Sequence, residues 1–415
     1  MAAPVAFHPA DFPHAAFRHV SYPVRIHAGD NALERLGEEA DRVRARRALL
    51  VCGQTVAHRT NLLDRVKQAL GDKLAGVFEG VKAGSPATSV LQGVAKAASL
   101  GPDSIDPDLI VAVGGGSAVV TARAITIMLA EGGTLHDHAT KYPPGERPIS
   151  PHLMQPKVPN IVVLTTPTTA AHRAGTAVTD AETGRRLEMF DPKTRPVAVF
   201  WDTEALLTAS PGLCLSAAGS LFSGVVAGLQ SPSLNPLAEG DLTQALNLLL
   251  SNLKLVGPEP DNGPVRLNLC AASFMYNRAS DSGLTSGATG VVTALAHSLD
   301  ARYPECGHGS AYSILTAPGM RFNQAHNASG QARVASLIGM NTADMDVDAA
   351  AAAAAGAIAD TFGDLGMPLR LRDVGVPREG IELIAQDAMT DFALHRNIRP
   401  VKEAAELVEL LREAW

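Results

Sequence analysis

Hydrophobic positions in the first part of the chain form short apolar runs, separated by segments in which apolar residues recur every three or four positions. Continuous apolar runs indicate buried strands, and the longer spacing indicates helices that bury one face. The predicted strands are residues 24–27, 47–52, 75–78, 109–113 and 160–166, and the predicted helices between them are residues 32–43, 62–70, 88–99 and 117–130. Because the strands are apolar nearly throughout, we expect a parallel sheet that helices cover on both faces.

From about Asp202 onward the apolar spacing is helical to the end of the chain. The predicted helices are residues 206–229, 237–253, 265–278, 289–301, 331–337, 347–365, 381–389 and 402–415. Alanine has the highest helix propensity, so the alanine run 349–355 is expected to belong to one of them. The pattern predicts two domains, an α/β domain at residues 1–203 and an all-helical domain at residues 204–415.

A glycine-rich turn follows the fourth predicted strand and consists of Gly114, Gly115, Gly116 and Ser117. Glycines let a backbone approach an anion closely, and the N–H groups and positive dipole end of the following helix stabilise negative charge. The turn therefore predicts a phosphate site, with an ordinary tight turn as the alternative. It matches neither the G-x-G-x-x-G fingerprint nor the P-loop.

A second polar loop, residues 165–169, follows the fifth predicted strand and reads Thr-Thr-Pro-Thr-Thr. Open parallel sheets bind ligands beyond the carboxyl ends of their strands. Both loops lie at such ends, so we expect them to converge on one ligand.

Composition and charge argue against several classes of function. The 415-residue chain has 46% hydrophobic residues and a formal net charge of −7, and it has no basic stripe that would favour nucleic acid or an anionic membrane. The N-terminal residues lack a signal-peptide apolar region, and apolar runs such as 109–113 are far shorter than the ~20 residues of a membrane span. We therefore expect a cytoplasmic protein.

The four cysteines are widely spaced and form no C-x-x-C pair, so we expect reduced thiols rather than a disulfide framework or a zinc knuckle. They are Cys52, Cys214, Cys270 and Cys306. Cys306 alone lies in a polar, histidine-bearing loop, where an inert thiol is favoured over a reactive one.

Several motifs in sequence order resemble the iron-containing (group III) alcohol dehydrogenase family, and especially its maleylacetate reductase branch. These motifs are Gly114-Gly-Gly-Ser117, Pro167-Thr-Thr169, Ala294-Leu-Ala-His297, Cys306-Gly-His308-Gly309, Asn397-Ile-Arg-Pro400 and Leu410-Leu-Arg-Glu-Ala-Trp415. The resemblance implies a dehydroquinate synthase-like fold, in which an α/β dinucleotide-binding domain and a helical domain flank the active site. It also implies an NAD(P)-dependent dehydrogenase or reductase, which we expect to be homodimeric.

The resemblance assigns cofactor contacts to residues of both polar loops. These are Gly114, Gly115, Gly116 and Ser117 in the first loop and Thr165, Thr168 and Thr169 in the second. Gly53, at the end of the second strand, is expected to contact the cofactor as well. An acidic residue there would favour NAD, and none is present, so either NAD or NADP is expected.

The metal-ligand positions of the family are largely replaced in this chain. The Asp and His four residues apart correspond to Ser220 and Gly224, give or take one position, and a second His corresponds to Thr293, so that only His308 remains. One histidine cannot hold a divalent ion against water, and we therefore expect no bound metal. Asp281, Asp300 and Glu305 could rescue a site but lack the family spacing.

Without a metal, another group must stabilise the charge on the substrate oxygen. His297 and His308 both match active-site positions of the family and are the candidate catalytic residues, with a structural role as the alternative. Arg173 follows the second loop beside His172, at a place where the family usually has a glycine-rich segment. Arg173 and Arg302 are candidates to hold a substrate carboxylate.

The leading interpretation is a metal-independent NAD(P)-dependent oxidoreductase acting on a carbonyl or alcohol carbon, with a small oxo-acid as substrate class. A second interpretation is a tailoring dehydrogenase of a biosynthetic cluster, acting on a peptide or carrier-bound hydroxyl, including by oxidative decarboxylation. Its support is the space that small residues at the expected metal-ligand positions would leave for an unusual substrate. Of these residues, Ser220 and Thr293 are assigned to substrate contact. A third is a non-catalytic pseudoenzyme that retains the fold.

Overall fold

The computed structural model describes residues 17–100, 107–143, 148–281 and 290–415. The chain divides into two compact units. The sheet unit comprises Tyr22–Cys214 and Leu255–Phe274, and the helical unit includes Leu215–Lys254 and Met275–Trp415. The contacts group residues 204–214 and 255–274 with the sheet. The domain boundary expected at residue 203 stays a prediction.

The sheet unit is built on six parallel strands, which confirms the predicted parallel sheet. The strands of the chain are β1 (Arg25–Gly29), β2 (Ala48–Gly53), β3 (Leu74–Val81), β4 (Leu109–Gly114), β5 (Asn160–Leu164), β6 (Gly175–Thr179), β7 (Arg186–Phe190) and β8 (Ala198–Asp202). The six-stranded sheet has the order β1-β8-β5-β4-β2-β3, and β6 and β7 form a separate antiparallel hairpin. The sequence pattern missed β6, β7 and β8.

Helices surround the sheet and make up the rest of the described chain. Up to residue 207 they are α1 (Leu36–Arg42), α2 (Gln54–Arg59), α3 (Leu62–Leu70), α4 (Ala87–Ala98), α5 (Gly116–Glu131), α6 (Leu135–His138) and α7 (Thr203–Leu207). The later helices are α8 (Pro211–Leu229), α9 (Pro236–Asn252), α10 (Gly263–Asp281), α11 (Gly290–Arg302), α12 (His308–Leu337), α13 (Val347–Asp364), α14 (Gly380–Ala388) and α15 (Ala404–Ala414).

Both faces of the sheet are buried, because alternate strand residues point to opposite sides and both sets are apolar. In β4, Val111 packs in one cluster with Leu36 of α1 and Val66 of α3. Its neighbour Ala112 packs in the other cluster, with residues of α4 and α5. This two-sided burial explains why the strands read as continuous apolar runs.

The order of the sheet reverses between β2 and β4. Along the chain, β3 is added on one side of β2, and β4 is then added on the other side. Cys52 of β2 pairs with Val113 of β4, so the carboxyl ends of these strands lie side by side. Such a reversal is where open parallel sheets bind ligands.

The described residues of the helical unit contain no strand, in agreement with the predicted all-helical character. Its apolar core is formed largely by α11, α12, α14 and α15. The pattern predicted only residues 331–337 of α12, because Pro318 and several polar residues within this helix are typical of breaks. Likewise the single helix predicted over 206–229 is two helices, since a new one begins at Pro211.

Helix α8 is long and apolar enough to cross a membrane by length and composition, in contrast to the short apolar runs expected from the sequence. Most of it is buried inside the protein. Such burial is typical of the core helix of a soluble protein.

Candidate active site

The glycine turn joins the end of β4 to the start of α5. Gly114 has a φ of +144°, a backbone conformation that side chains with a Cβ rarely adopt. At Gly115, the residue before α5, no side-chain hydrogen bond caps the helix. The first N–H groups of a helix have no partner within the helix, so this end can bind an anion.

The threonine loop lies directly against the glycine turn. The backbone N–H of Thr165 donates to the carbonyl oxygen of Gly114 at 3.1 Å. A Cβ added at Gly115 would lie 2.8 Å from Thr166 Oγ1, and one added at Gly116 would lie 2.8 Å from Thr168 Oγ1. The expected convergence of the two loops is therefore present, and the glycines also permit their close contact.

The remaining predicted cofactor residues lie near these loops. Gly53 ends β2, which neighbours β4 at the reversal of strand order. Ser117 is in the first turn of α5, where its carbonyl oxygen accepts a hydrogen bond from the Ser85 hydroxyl at 3.2 Å. Thr169 is half-buried, beside the buried Thr168. All the predicted cofactor residues thus lie at the carboxyl ends of β2, β4 and β5.

A buried basic cluster lies behind the threonine loop. Arg123 of α5 is 2% exposed and donates to the carbonyl oxygens of Gly175 at 2.7 Å and Ala170 at 2.9 Å. Burial, together with the neighbouring Arg195 and Arg173, lowers the pKa of Arg123 to about 9. Arg123 therefore fixes the loop that carries Arg173, which itself is half-buried.

His172, the neighbour of Arg173 in this loop, lies in the core. Its side chain packs against the Phe274 ring at a centroid distance of 5.4 Å, and the residue is 2% exposed. Burial and the neighbouring Arg195 and Arg123 lower its pKa to about 4. His172 is therefore neutral at pH 7.

The two candidate catalytic histidines lie in the helical unit, and each is paired with a carboxylate. His297 Nδ1 lies 2.8 Å from Asp391 Oδ2, and His308 Nδ1 lies 2.6 Å from Asp300 Oδ2. A carboxylate at Nδ1 fixes the tautomer and leaves Nε2 to exchange a proton with another group. Each pair can therefore act as a general acid or base.

Sequence reasoning missed the carboxylate partners of both histidines. Asp391 is separated from His297 by 94 residues, and no local motif marks it. Asp300 was considered only as a substitute metal ligand. Its position at the end of α11, shortly before His308, was the available signal.

The positions expected to be vacated metal ligands are occupied by other contacts. The Ser220 hydroxyl donates within its own helix to the Ala217 carbonyl oxygen at 2.8 Å. The space beside Gly224 is taken by the Tyr276 ring, and Thr293 shares a hydrogen bond with the Tyr312 hydroxyl. The expected open room for an unusual substrate is therefore absent at Gly224.

Arg302 is engaged by a carboxylate of its own chain. Its guanidinium donates from Nη2 to Asp387 Oδ1 at 3.1 Å, and Nε bonds the other oxygen of the same group. This bidentate pairing raises the pKa of Arg302. A substrate carboxylate would have to displace Asp387, so the geometry favours a structural role for Arg302 over the predicted substrate role.

The side chains that the structure describes do not fit a metal ion. Within the ranges that the structure describes, no group of three or more His, Cys, Asp or Glu residues is placed to hold one. His308 contacts the carboxylate of Asp300 through Nδ1. Structural and catalytic sites use three or four protein ligands.

Comparison with models of known protein families assigns the chain to a family. The model of iron-containing alcohol dehydrogenases matches residues 23–203, and that of the C-terminal domain of Fe-containing alcohol dehydrogenases matches residues 222–415. The chain belongs to the iron-containing alcohol dehydrogenase family. The predicted family is thereby confirmed, and this dehydrogenase is an oxidoreductase acting on CH–OH or C=O groups.

Known relatives span nearly the full chain. An NAD-dependent methanol dehydrogenase of Bacillus methanolicus is 24% identical over 93% of this chain and 97% of its own length. A maleylacetate reductase of Cupriavidus pinatubonensis is 24% identical over 92% of both chains. The crystal structure of a 1,3-propanediol oxidoreductase superposes with a TM-score of 0.83 and 25% identity, covering 97% of this chain and 100% of its own.

Proposed function

We propose that this dehydrogenase transfers hydride between a nicotinamide cofactor, NAD or NADP, and a carbonyl or alcohol carbon without using a metal ion. The observation that carries the proposal is the paired glycine and threonine loops at the reversal of strand order, next to a helix N-terminus with no side-chain cap. The name of the Bacillus methanolicus relative supports a nicotinamide cofactor.

The residues at the strand ends suit a dinucleotide. Gly115 and Gly116 leave the start of α5 open to a pyrophosphate, whose charge the helix end would stabilise. Gly53 and the half-buried Thr169 flank this position at neighbouring strand ends. When bound, the cofactor would supply or accept the hydride, and the protein would supply position and charge.

The histidine–carboxylate pairs provide proton transfer in this proposal. His297 would donate a proton from Nε2 during reduction and accept one during oxidation, while Asp391 stabilises the charged ring. His308 with Asp300 would act in the same way or relay the proton to solvent.

A small oxo-acid remains the proposed substrate class. Arg173 is the candidate to bind the substrate carboxylate. Arg123 donates to the carbonyl oxygens of Ala170 and Gly175 and so fixes the segment that carries the Arg173 guanidinium next to the threonine loop. The maleylacetate reductase relative supports this class by its name. A cytoplasmic homodimer is part of the same proposal, and sedimentation of the purified protein tests its oligomeric state.

No observation favours the alternative of a tailoring dehydrogenase, because its support was the open space beside small residues. Tyr276 takes up the space beside Gly224, and Ser223 Oγ accepts a hydrogen bond from Thr316 Oγ1 at 2.7 Å. A pseudoenzyme that retains the fold would show no turnover, whether or not it binds the cofactor. Assays of NADH or NADPH oxidation with aldehydes and oxo-acids distinguish it from the enzyme.

Cofactor binding to the glycine turn is tested with two substitutions of one residue. Gly115→Ala adds only the Cβ that meets Thr166. Gly115→Asp adds a carboxylate to the same turn, beside the proposed pyrophosphate. We expect NADH affinity to fall far more for the aspartate variant than for the alanine variant, because only the former places like charges together.

Gly240→Asp in α9 is the matched control, since nothing lies within 4 Å of a Cβ added at Gly240. NADH fluorescence and thermal melting are measured for all three variants. Wild-type affinity in a folded Gly115→Asp variant would refute the assignment of the turn to the cofactor.

A further inference from the structure

Two tyrosines surround the positions that the family resemblance assigns to metal ligands. An ideal Cβ added at Gly224 would lie 2.8 Å from both Cζ and the hydroxyl oxygen of Tyr276. The phenol of Tyr276 therefore occupies the space that a ligand side chain at position 224 would need. Because a ring fills this space, restoring a histidine at Gly224 alone would require Tyr276 to move.

Tyr312 holds the equivalent place beside a second replaced ligand. Its hydroxyl is hydrogen-bonded with the Thr293 side chain, and its ring meets the His308 ring edge-on at a centroid distance of 4.9 Å. Tyr276 and the carboxylates Asp300 and Asp391 are close enough to act on its charge. The two phenols and both histidine–carboxylate pairs thus belong to one cluster within the helical unit.

The phenols have the chemistry that an oxygen-binding site requires. Burial and the nearby acidic groups raise the pKa of Tyr312, so its hydroxyl stays protonated and can donate a hydrogen bond at neutral pH. Both tyrosines are only partly buried. Partial exposure is what a donor needs if it is to reach a substrate.

We propose that the Tyr276–Tyr312 pair donates hydrogen bonds to the substrate oxygen and so takes over the charge-stabilising role of a metal ion. This inference rests on the proposed function. During reduction, the carbonyl carbon accepts a hydride from the reduced nicotinamide, and the π-electron pair moves onto oxygen. The oxygen then takes one proton from a histidine, which regains it from solvent. Carbonyl, reduced nicotinamide and one proton give alcohol and oxidised nicotinamide.

The tyrosines are tested by removing only their hydroxyls. Tyr276→Phe and Tyr312→Phe keep the rings, and Tyr303→Phe is the control, since its hydroxyl lies against Gly380 of α14. Reduction of propanal, lactaldehyde and maleylacetate is followed with NADH and NADPH. We expect at least one of the two variants to lose about 10²-fold in kcat, as for the loss of an oxyanion donor, while NADH affinity stays within a few-fold.

The possible outcomes separate this inference from the proposed function. A wild-type enzyme that shows no turnover refutes the proposed function, and the inference falls with it. An active wild type whose Tyr276→Phe and Tyr312→Phe variants both keep their kcat refutes the inference alone. One equivalent of iron or zinc per chain, with activity lost on chelation, also refutes it.

A second variant guards against a folding defect. Thr293→Val removes the hydrogen bond to Tyr312 and leaves both phenols in place, so it should change kcat more than the KM of the substrate. Melting temperatures show which variants are folded. If Thr293→Val and both phenylalanine variants melt like the wild type and turn over at its rate, the pair has no part in the reaction.

Discussion

Mild acid should destabilise the sheet unit through the buried side chain of His172. This histidine is 2% exposed, packs against Phe274, and has its pKa lowered to about 4 by burial and by Arg195 and Arg123. In the unfolded chain its pKa is about 6.5. The unfolded state therefore binds the proton first as the pH falls, and stability is lost between about pH 6.5 and pH 4.

The size of the effect follows from the two pKa values. The full difference corresponds to about 3 kcal/mol in the free energy of unfolding, reached below pH 4. At pH 5 the unfolded histidine is almost fully protonated and the folded one mostly neutral, so ~2 kcal/mol is already lost. At pH 7.5 both states are neutral, and His172 contributes almost nothing to the pH dependence.

Urea unfolding at pH 7.5 and pH 5 measures this loss in the sheet unit. The chain has two tryptophans, and a Trp415→Phe background leaves Trp201, whose ring lies 6.3 Å from that of Phe274, as the fluorescent reporter. In that background, His172→Leu should remove about 2 kcal/mol of the pH-dependent loss. His326→Leu, at an exposed histidine, should leave the loss unchanged.

The reasoning would be refuted if, between pH 7.5 and pH 5, the His172→Leu variant lost as much unfolding free energy as the protein that keeps His172. It would mean that the ring is protonated in the folded state near its ordinary pKa. Water would then reach His172 in the folded state, or its neighbouring cations would lie farther from the ring.

Two further predictions concern the helical unit. Replacing His297 or His308 with Ala should lower kcat about 10²-fold, because a proton donor is lost. NADH affinity should stay within a few-fold, because the glycine turn belongs to the sheet unit. Wild-type turnover in both variants would assign these histidines a structural role. Elemental analysis of the purified protein should find far less than one iron or zinc per chain, because the described residues offer no set of three ligands. Activity should also survive a chelator. A stoichiometric metal would contradict the metal-free proposal.

The parallel sheet could be predicted because its strands are buried on both faces and therefore read as apolar runs. The hairpin of β6 and β7 was missed although Arg186 and Glu188 alternate with apolar residues as in a strand, because a five-residue segment gives only a short pattern. β8 escaped notice although it is apolar, because it directly precedes the helical pattern from Asp202. Its place is set by pairing with β1, more than 160 residues earlier in the chain.

The glycine turn was predictable because strand, turn and helix are adjacent in sequence, and local chemistry alone points to an anion. The rest of the site depends on contacts between distant elements. Asp391 reaches His297 from beyond α14, and Tyr276 reaches Gly224 from α10. Spacing along one helix carries no information about such contacts, so the open room inferred from small residues was wrong at Gly224.

The packing around the positions that the resemblance assigns to metal ligands supports the proposal of a remodelled site over a decaying one. Loss of a large buried side chain leaves a cavity that typically costs a few kcal/mol when nothing fills it. Here the Tyr276 ring fills the space at Gly224, and Thr293 and Ser223 each have a hydrogen-bond partner. His297 meanwhile keeps its partly buried carboxylate partner, and removing charged groups from water is costly. A scaffold that only needed to fold would gain from apolar residues in their place, which supports our proposal that these polar groups serve chemistry at the substrate.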